Sequence, residues 1–300
     1  MIVLDRDRTS AALDPVRVLH AVSAALVAIS RDEVSAPPRI AAFAPGGLLG
    51  AMPAYVPGIG LAAKLVSVFA DQQIAGRSTH RGIVAIFDDR DGRPLAVLDA
   101  EPLTAVRTAA SATVSMQYLA NPSPVKVAVV GTGVQARSQL ALLSAIGCTA
   151  SVVVGGRDPD RAQAAASCYT GAQAGTIEAA VRDADVVFCC TGAREPVIRR
   201  EWLATGAHVS SVGGSHGHEL DAATIEDGTL FAEWPGAAGS PPPAGAYEIQ
   251  GRNAILLGSV VDGRHPGRRS ASELTVYKST GHAALDVAAS AVVYAAQASD

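Results

Sequence analysis

The chain has 300 residues, of which 49% are hydrophobic and only 4% aromatic, and its formal net charge is −4. This length is sufficient for a large apolar core and for two domains. No block of basic residues occurs, which argues against nucleic acid as a partner because phosphate binding needs clustered Lys and Arg. We expect no membrane partner either, because no segment has the roughly 18 consecutive apolar residues of a transmembrane helix.

The cysteines indicate neither a metal site nor a disulfide framework. They lie at four positions without CxxC spacing: Cys148, Cys168, Cys189 and Cys190. Zinc sites and disulfide-rich domains show characteristic cysteine pairs, which are missing from this sequence. We therefore predict a protein of the reducing cytoplasm without a bound metal.

The first hundred residues are predicted to be mostly sheet. An amphipathic helix from Asp14 to Ile29 comes first, with Asp14 as its cap and Pro15 in its first turn. Five short strands follow, the last of them after an Asp91-Gly92 turn. These strands are Ile40–Phe43, Gly50–Tyr55, Leu61–Phe69, Gly82–Phe87 and Pro94–Asp99.

A domain boundary is predicted near residue 120. A helix from Ala105 to Leu119 ends at Asn121-Pro122-Ser123-Pro124, a cluster that breaks helices and is typical of a linker. An Ala-rich helix from Ala283 to Gln297 is expected to return to the first domain. The predicted domains are therefore 1–120 together with 280–300, and 121–279.

Beyond the boundary, strands and helices alternate, which is typical of a parallel, doubly wound sheet. The predicted strands are Val125–Val130, Ser151–Val154, Ala184–Cys190, His208–Val212 and Leu230–Ala232. Helices are predicted up to Ile146 and from Asp160, and Pro235 to Gly245 is predicted to be a loop. The fold class is α/β, with a Rossmann-type doubly wound parallel sheet and a second, α+β domain.

A glycine-rich turn predicts a dinucleotide site. The motif Gly131-Thr132-Gly133-Val134-Gln135-Ala136 follows a buried-type strand and opens a helix. In this context Gly131 permits the turn, Gly133 permits close approach of a pyrophosphate, and Ala136 lets the helix lie against the strand. The order of strand, turn and helix makes the motif more specific than its glycines alone.

The residues after the second strand of this domain favour NADP(H) over NAD(H). NAD sites usually have an acid about 20 residues beyond the glycine motif. Here Gly155-Gly156 is followed by Arg157 and Asp158. Arg157 suits a 2′-phosphate, whereas Asp158 would suit the ribose hydroxyl of NAD(H), which remains the alternative.

Lys64 lies in the apolar segment Gly60–Phe69, whose alternation allows it to lie on a covered face. A buried ammonium is costly unless it is paired. From the pattern alone, the more common arrangement is a lysine that reaches solvent from a strand edge.

Several segments resemble, in order and spacing, the ornithine cyclodeaminase and mu-crystallin family. They are Met52-Pro53-Ala54-Tyr55, Lys64 to Phe69, Leu103-Thr104-Ala105-Val106-Arg107-Thr108-Ala109-Ala110, Gly131 to Ala136, Trp202 to Gly213, and Tyr277-Lys278-Ser279-Thr280-Gly281. The resemblance covers essentially the whole chain. It implies a Rossmann-type domain, a second domain that forms a homodimer through its sheet, and an active site in the cleft between the domains.

The same resemblance assigns roles to individual residues. Lys64 matches the active-site lysine, and Arg39 and Arg107 match positions that hold the substrate carboxylate or a nearby phosphate, a task suited to the guanidinium fork. His80 matches a position that contacts ligand. Cofactor contacts are implied for Gly131, Thr132, Gly133, Val134, Gln135, Arg157, Thr191 and Val212, of which Thr191 and Val212 resemble residues that flank the nicotinamide.

Two departures from the family pattern favour a ketimine reductase. Cyclodeaminases carry a Glu before the Met-Pro pair, where this chain has Ala51, and an Asp after Gly213-Gly214, where it has Ser215. These acids bind the distal amine of the substrate, and replacement by Glu219 or His218 is not expected. A cyclic imino acid such as Δ1-pyrroline-2-carboxylate or Δ1-piperideine-2-carboxylate has no distal amine, and its reduction gives proline or pipecolate.

The proposed chemistry uses Arg39 and Arg107 as carboxylate anchors and Lys64, directly or through water, to protonate or polarise the imine nitrogen. The motifs are closest to those of bacterial ketimine reductases. The alternatives are an alanine dehydrogenase-like enzyme, which requires free ammonia, an ornithine cyclodeaminase-like enzyme, and a non-catalytic protein that binds NADPH and a ligand.

Overall fold

The computed structural model describes residues 1–69, 80–213 and 217–297. The chain divides into two compact units, one formed by Met1–Arg107 with His282–Asp300 and the other by Thr108–Gly281. The predicted boundary lies near residue 120. The division between the two units lies earlier, after Arg107, inside the uninterrupted helix Ala100–Leu119. Asn121 and Pro122 follow the end of that helix.

Within the described residues no single helix has the length and apolar composition to cross a bilayer; two consecutive helices separated by a sharp bend meet that criterion only as a pair.

The first unit contains a six-stranded sheet in the order β1-β6-β5-β4-β3-β2. Strands β2 to β6 pair with antiparallel neighbours, and β1 pairs with β6 in parallel. The strands are β1 (Ile2–Leu4), β2 (Ile40–Ala44), β3 (Gly47–Val56), β4 (Gly60–Phe69), β5 (His80–Phe87) and β6 (Pro94–Asp99). The predicted strands are all present, but β1 is too short to have been recognised from its pattern.

Helices pack against this sheet and against one another. Helix α10 (Ala283–Gln297) contacts three of the strands, α1 (Arg6–Ala12) contacts β1 and β6, and α2 (Pro15–Ser30) packs on α10. Helix α3 (Ala100–Leu119) follows β6 directly. The Asp14 carboxylate caps α2 by accepting from the amides of Val16 and Arg17. The returning helix α10 packs against α2, β3, β4 and β5, and its many alanines permit this close approach. Alternate residues of β3 are therefore buried, from Gly50 to Val56.

The second unit contains the predicted doubly wound sheet. Its eight strands are all parallel, in the order β13-β12-β14-β11-β10-β7-β8-β9. They are β7 (Lys126–Val130), β8 (Ser151–Gly155), β9 (Gln173–Gly175), β10 (Val186–Cys189), β11 (His208–Ser211), β12 (Thr229–Ala232), β13 (Ile255–Leu256) and β14 (Thr275–Lys278). Buried apolar side chains lie on both of its faces.

The helices of the second unit connect these parallel strands. They are α4 (Val134–Ala145), α5 (Pro159–Ala166), α6 (Ile177–Val181), α7 (Ala222–Asp227), α8 (Gly236–Gly239) and α9 (Leu257–Val261), with a short 3-10 helix at Arg200–Trp202. The prediction of a continuous loop from Pro235 to Gly245 was wrong at α8, where four small residues form one helical turn. Helix α3 begins five residues earlier than predicted, and the Asp99 carboxylate accepts from the Glu101 amide at its start.

Candidate active site

Lys64 lies in the middle of the first unit's sheet. Strand β4 has β3 on one side and β5 on the other, and Lys64 is directly opposite Met52 and Val84. All three residues lie on the face that packs against the helices, and Lys64 is only 5% exposed. Lys64 therefore does not reach solvent from a strand edge.

A buried carboxylate, Asp286, holds Lys64 and Arg107 together. The Lys64 Nζ lies 2.8 Å from Asp286 Oδ2, and the Arg107 Nε donates to Asp286 Oδ1 at 3.0 Å. The three side chains come from β4, α3 and α10, and each is at most 6% exposed. Among the described residues this cluster therefore contains two buried cations and one carboxylate, a net charge of +1.

The cluster shifts the protonation equilibria of its own members. Burial lowers the pKa of Lys64 below its ordinary value; the Asp286 charge opposes this, and Arg107 lowers it further. Burial alone would raise the pKa of Asp286, but Lys64 and Arg107 outweigh burial and hold that pKa below its usual range. Asp286 is thus a firm counterion, while Lys64 is an ammonium that releases its proton more readily than an exposed lysine.

Arg39 and His282 both interact electrostatically with members of this cluster. Arg39 is exposed just before β2, and its charge contributes to lowering the pKa of Lys64. His282 precedes α10, and burial lowers its pKa to about 4, with Asp286 raising it and Arg39 and Arg107 lowering it. His282 is therefore neutral near pH 7, and its Nδ1 accepts from the Ala284 amide at 3.3 Å. His80 begins β5, but its side chain lies outside the described residues.

In the second unit, the glycine-rich turn has the features of a pyrophosphate cradle. Gly131 has a φ of +122°, and a Cβ there would lie 2.5 Å from the Cys190 carbonyl oxygen. Gly133 caps α4 without a side-chain hydrogen bond, and no atom lies within 4 Å of the position of a Cβ on it. The first amides of α4 are therefore open to an anion.

The other predicted residues of this turn are partly accessible. Thr132 is half-buried and packs against Gly156, where a Cβ would lie 2.9 Å from the Thr132 methyl. Val134 is exposed, and Gln135 is half-buried with an Oε1 that has no hydrogen-bond partner among the described residues. An acceptor without a partner beside an open helix terminus fits a bound nucleotide.

Arg157 and Asp158 lie beyond the end of β8, and both are exposed. The Asp158 Oδ1 caps α5 by accepting from the amides of Asp160 and Arg161. Among the described residues no ion pair involves Arg157. The acid at this position is thus occupied in capping a helix, whereas the guanidinium is accessible.

Thr191 and Val212 follow the carboxyl ends of β10 and β11, where ligands bind in open parallel sheets. Both are half-buried. The Thr191 hydroxyl and amide both donate to Glu219, at 2.6 and 2.8 Å. The Ser211 hydroxyl and the Gly213 amide donate to the other oxygen, so both oxygens of Glu219 are engaged within the second unit.

Asp286 is the residue that sequence reasoning missed. A signal was present, because Asp286 is the only charged residue in the apolar helix α10. A lone acid in such a helix indicates a buried partner of opposite charge. The pattern does not identify that partner, since Lys64 and Arg107 lie far away in sequence.

Known proteins of similar sequence identify the family of this chain. The sequence profile of the ornithine cyclodeaminase/mu-crystallin family matches residues 2–300. Ketimine reductase mu-crystallin of Rattus norvegicus is 32% identical over 254 residues, which are 83% of this chain and 80% of its own. The Δ1-pyrroline-2-carboxylate reductase of Paracoccus denitrificans (strain Pd 1222) is 31% identical over 261 residues, 81% of each chain.

A solved structure of an archaeal alanine dehydrogenase dimer with bound NAD superposes with a TM-score of 0.89 at 26% identity. That match covers 100% of this chain and 96% of the other. The family profile and the relatives each span most of the chain, and they agree with the resemblance carried by the Lys64, Arg107 and glycine-rich segments. The chain therefore belongs to the ornithine cyclodeaminase/mu-crystallin family.

Proposed function

We propose that this chain is an NAD(P)H-dependent reductase of a small cyclic imino acid, with Δ1-pyrroline-2-carboxylate or Δ1-piperideine-2-carboxylate as substrate and proline or pipecolate as product. The observation that carries the proposal is the buried cluster of Lys64, Arg107 and Asp286 with its net charge of +1. A buried excess of positive charge is costly unless an anion compensates it. The carboxylate of an imino acid supplies that anion.

The three residues divide the chemistry between them. The Arg107 guanidinium, oriented by Asp286 through its Nε, presents its remaining N–H groups to the substrate carboxylate. The Lys64 ammonium gives a proton to the imine nitrogen as the C=N bond is reduced, and its lowered pKa favours this transfer. The bound nicotinamide supplies the hydride to the imine carbon.

The charge of the cluster also selects among substrates. Ornithine or lysine would bring a second ammonium close to two cations, Lys64 and Arg107. Asp286, their single counterion among the described residues, already pairs with both. A cyclic imino acid brings only its carboxylate and a weakly basic nitrogen. Reductive amination of pyruvate needs the same anchors, and the likeness to an archaeal alanine dehydrogenase makes it the second candidate.

The test compares substrates directly. The purified protein is given NADPH with each cyclic imine, with pyruvate plus ammonia, and, in the presence of NAD⁺, with ornithine. Turnover with a cyclic imine and no added ammonia supports the proposal. Turnover confined to pyruvate with ammonia replaces it with an amino-acid dehydrogenase, and NADPH binding without any turnover indicates a binding protein.

Cofactor choice is tested at Arg157, which we propose contacts a 2′-phosphate. Loss of a charge-assisted contact of this kind is expected to raise the KM for NADPH about tenfold in Arg157→Ala, with little effect on NADH. Arg182→Ala, which removes an exposed arginine paired with Glu178, is the matched control. Similar KM values of the wild type for NADH and NADPH would refute the preference.

A homodimer is proposed from the first unit's sheet. Edge strand β2 exposes every residue, including Ile40 at 71% and Phe43 at 82%, and Leu49 on β3 is 50% exposed. Apolar edges and faces of this kind are typical of interfaces. We expect Phe43→Glu to convert a wild-type dimer into a monomer in sedimentation experiments, whereas Val125→Glu, at an isolated exposed valine, leaves the dimer intact. A monomeric wild type would contradict the proposal.

A further inference from the structure

Glu219 is a fully buried carboxylate that connects two strand ends. Its Oε1 accepts from the amide and hydroxyl of Thr191, at 2.8 and 2.6 Å. Its Oε2 accepts from the Ser211 hydroxyl at 2.6 Å and from the Gly213 amide at 2.9 Å. The turn after β10 and the turn after β11 are thus attached to one side chain.

These bonds fix the orientation of Thr191. Because its hydroxyl donates to Glu219, its methyl group points elsewhere and lies 3.4 Å from the position of a Cβ on Gly131. Gly131 opens the glycine-rich turn. Glu219 therefore determines which face Thr191 presents beside that turn.

The two turns leave no free space around the carboxylate. A Cβ on Gly213 would lie 2.3 Å from the Thr191 carbonyl oxygen and 2.6 Å from Glu219 Oε1. Such distances are well below van der Waals contact, so only glycine permits the observed approach. A small movement of Glu219 would consequently displace both turns.

A buried lysine completes the network. The Lys278 Nζ donates to the Ser211 hydroxyl and to Glu248 Oε1, at 2.5 and 2.7 Å. Since the Ser211 oxygen accepts from Lys278, its own proton is directed to Glu219. Both amides and both hydroxyls around Glu219 then act as donors, and only a carboxylate accepts from all four.

We propose that Glu219 is a positioning residue for the nicotinamide half of the cofactor. It holds Thr191 and the 211–213 turn, including Val212, in the conformation that accepts the nicotinamide ring, and it makes no contact with the adenosine half. The inference rests on the proposed function, because it requires that the protein bind a nicotinamide dinucleotide.

The test compares two ligands that share the adenosine half. NADPH contains the nicotinamide, whereas 2′-phospho-ADP-ribose lacks it. Calorimetry gives the Kd of each for the intact wild-type protein, Glu219→Gln and Thr191→Val. The glutamine places an amide N–H₂ against donors. The isosteric valine removes the Thr191 hydroxyl, which donates to Glu219 and accepts from the Ala193 amide at 3.3 Å, while leaving the carboxylate in place.

We expect Glu219→Gln to weaken NADPH binding about tenfold and 2′-phospho-ADP-ribose binding less than twofold. Thr191→Val should change the ratio of the two Kd values in the same direction, but by a smaller factor. Glu273→Gln is the control. Glu273 precedes β14 and accepts from the hydroxyl of Thr229 at the start of β12, so it lies at the opposite end of the sheet from Glu219. That variant should leave the ratio of the two Kd values unchanged.

The possible outcomes distinguish the positioning role of Glu219 from the proposed function. Equal weakening of both ligands in Glu219→Gln and Thr191→Val, or no weakening in either variant, would overturn the positioning role. If Glu219→Gln does not fold, Thr191→Val alone decides between these results. Failure of the wild type to bind NADPH, NADH or the ADP-ribose analogue of either would refute the proposed function itself, and the positioning role with it.

Discussion

Replacing Lys64 with Met is expected to lower kcat for imine reduction by about 10²- to 10⁴-fold, the usual contribution of a positioned proton donor. Methionine has a similar length but carries no proton. Asp286 keeps its bond from Arg107, so the buried cluster changes from a net charge of +1 to zero and the fold should tolerate the change. The measurement is kcat and KM with the cyclic imines, together with the melting temperature.

Lys126→Met is the matched control for this variant. Lys126 lies in β7, and within the described part of the chain its Nζ donates only to backbone carbonyls, those of Ala179 and Arg182. We expect this variant to retain nearly wild-type kcat. If Lys64→Met did the same while remaining folded, the assignment of Lys64 as proton donor would be wrong.

Replacing Asp286 with Asn is expected to shift the alkaline limb of the pH–rate profile to lower pH. Asp286 is the only described charge that raises the pKa of Lys64, whereas burial and Arg107 lower it. Without the carboxylate, Lys64 loses its proton at a lower pH. We therefore expect kcat at alkaline pH to fall below the wild-type value, with recovery as the pH is lowered.

The stability of Asp286→Asn is expected to change with pH in the opposite direction. A still lower pKa of Lys64 in the folded protein means that the unfolded chain binds more protons between that pKa and 10.5, the ordinary value. Stability then rises with pH across this window. At lower pH, breaking the buried pair costs about 3–5 kcal/mol.

Asp88→Asn serves as the control, because Asp88 forms an ion pair with Arg93 in a surface turn of the same unit. It should leave the pH–rate profile unchanged. An unshifted alkaline limb in Asp286→Asn would contradict the idea that this carboxylate sets the protonation of Lys64.

Local patterns in the sequence were sufficient to predict most of the fold. Asp14-Pro15 marks the start of α2, the glycine-rich turn marks the junction of β7 and α4, and α10 has the predicted bounds of Ala283–Gln297. These features depend on residues close together in the chain. The division into compact units at residue 107 was not predicted, because a helix breaker at Asn121 does not reveal where packing contacts change.

The site was harder to predict than the fold because its parts meet only in three dimensions. Lys64 and Arg107 were identified through a family resemblance. The alternation around Lys64 allowed a covered face, but a single Lys or Arg is more often exposed. Their ion pairs with Asp286 depend on the return of α10 to the sheet, which brings residues 179 positions apart into hydrogen-bonding contact. The hydrogen bonds of Glu219 likewise depend on which strands are neighbours in the second sheet, and a linear pattern does not specify this.

The most direct test of the central claim is isotope transfer by the wild-type protein. NADPH and NADH, each deuterated at the transferable position of the nicotinamide, are incubated separately with Δ1-pyrroline-2-carboxylate and with Δ1-piperideine-2-carboxylate, and the products are analysed by mass spectrometry and NMR. We expect proline or pipecolate with one deuterium on the α-carbon, formed without added ammonia. Absence of a labelled cyclic amino acid, or label appearing only in alanine when pyruvate and ammonia are supplied, would contradict this claim.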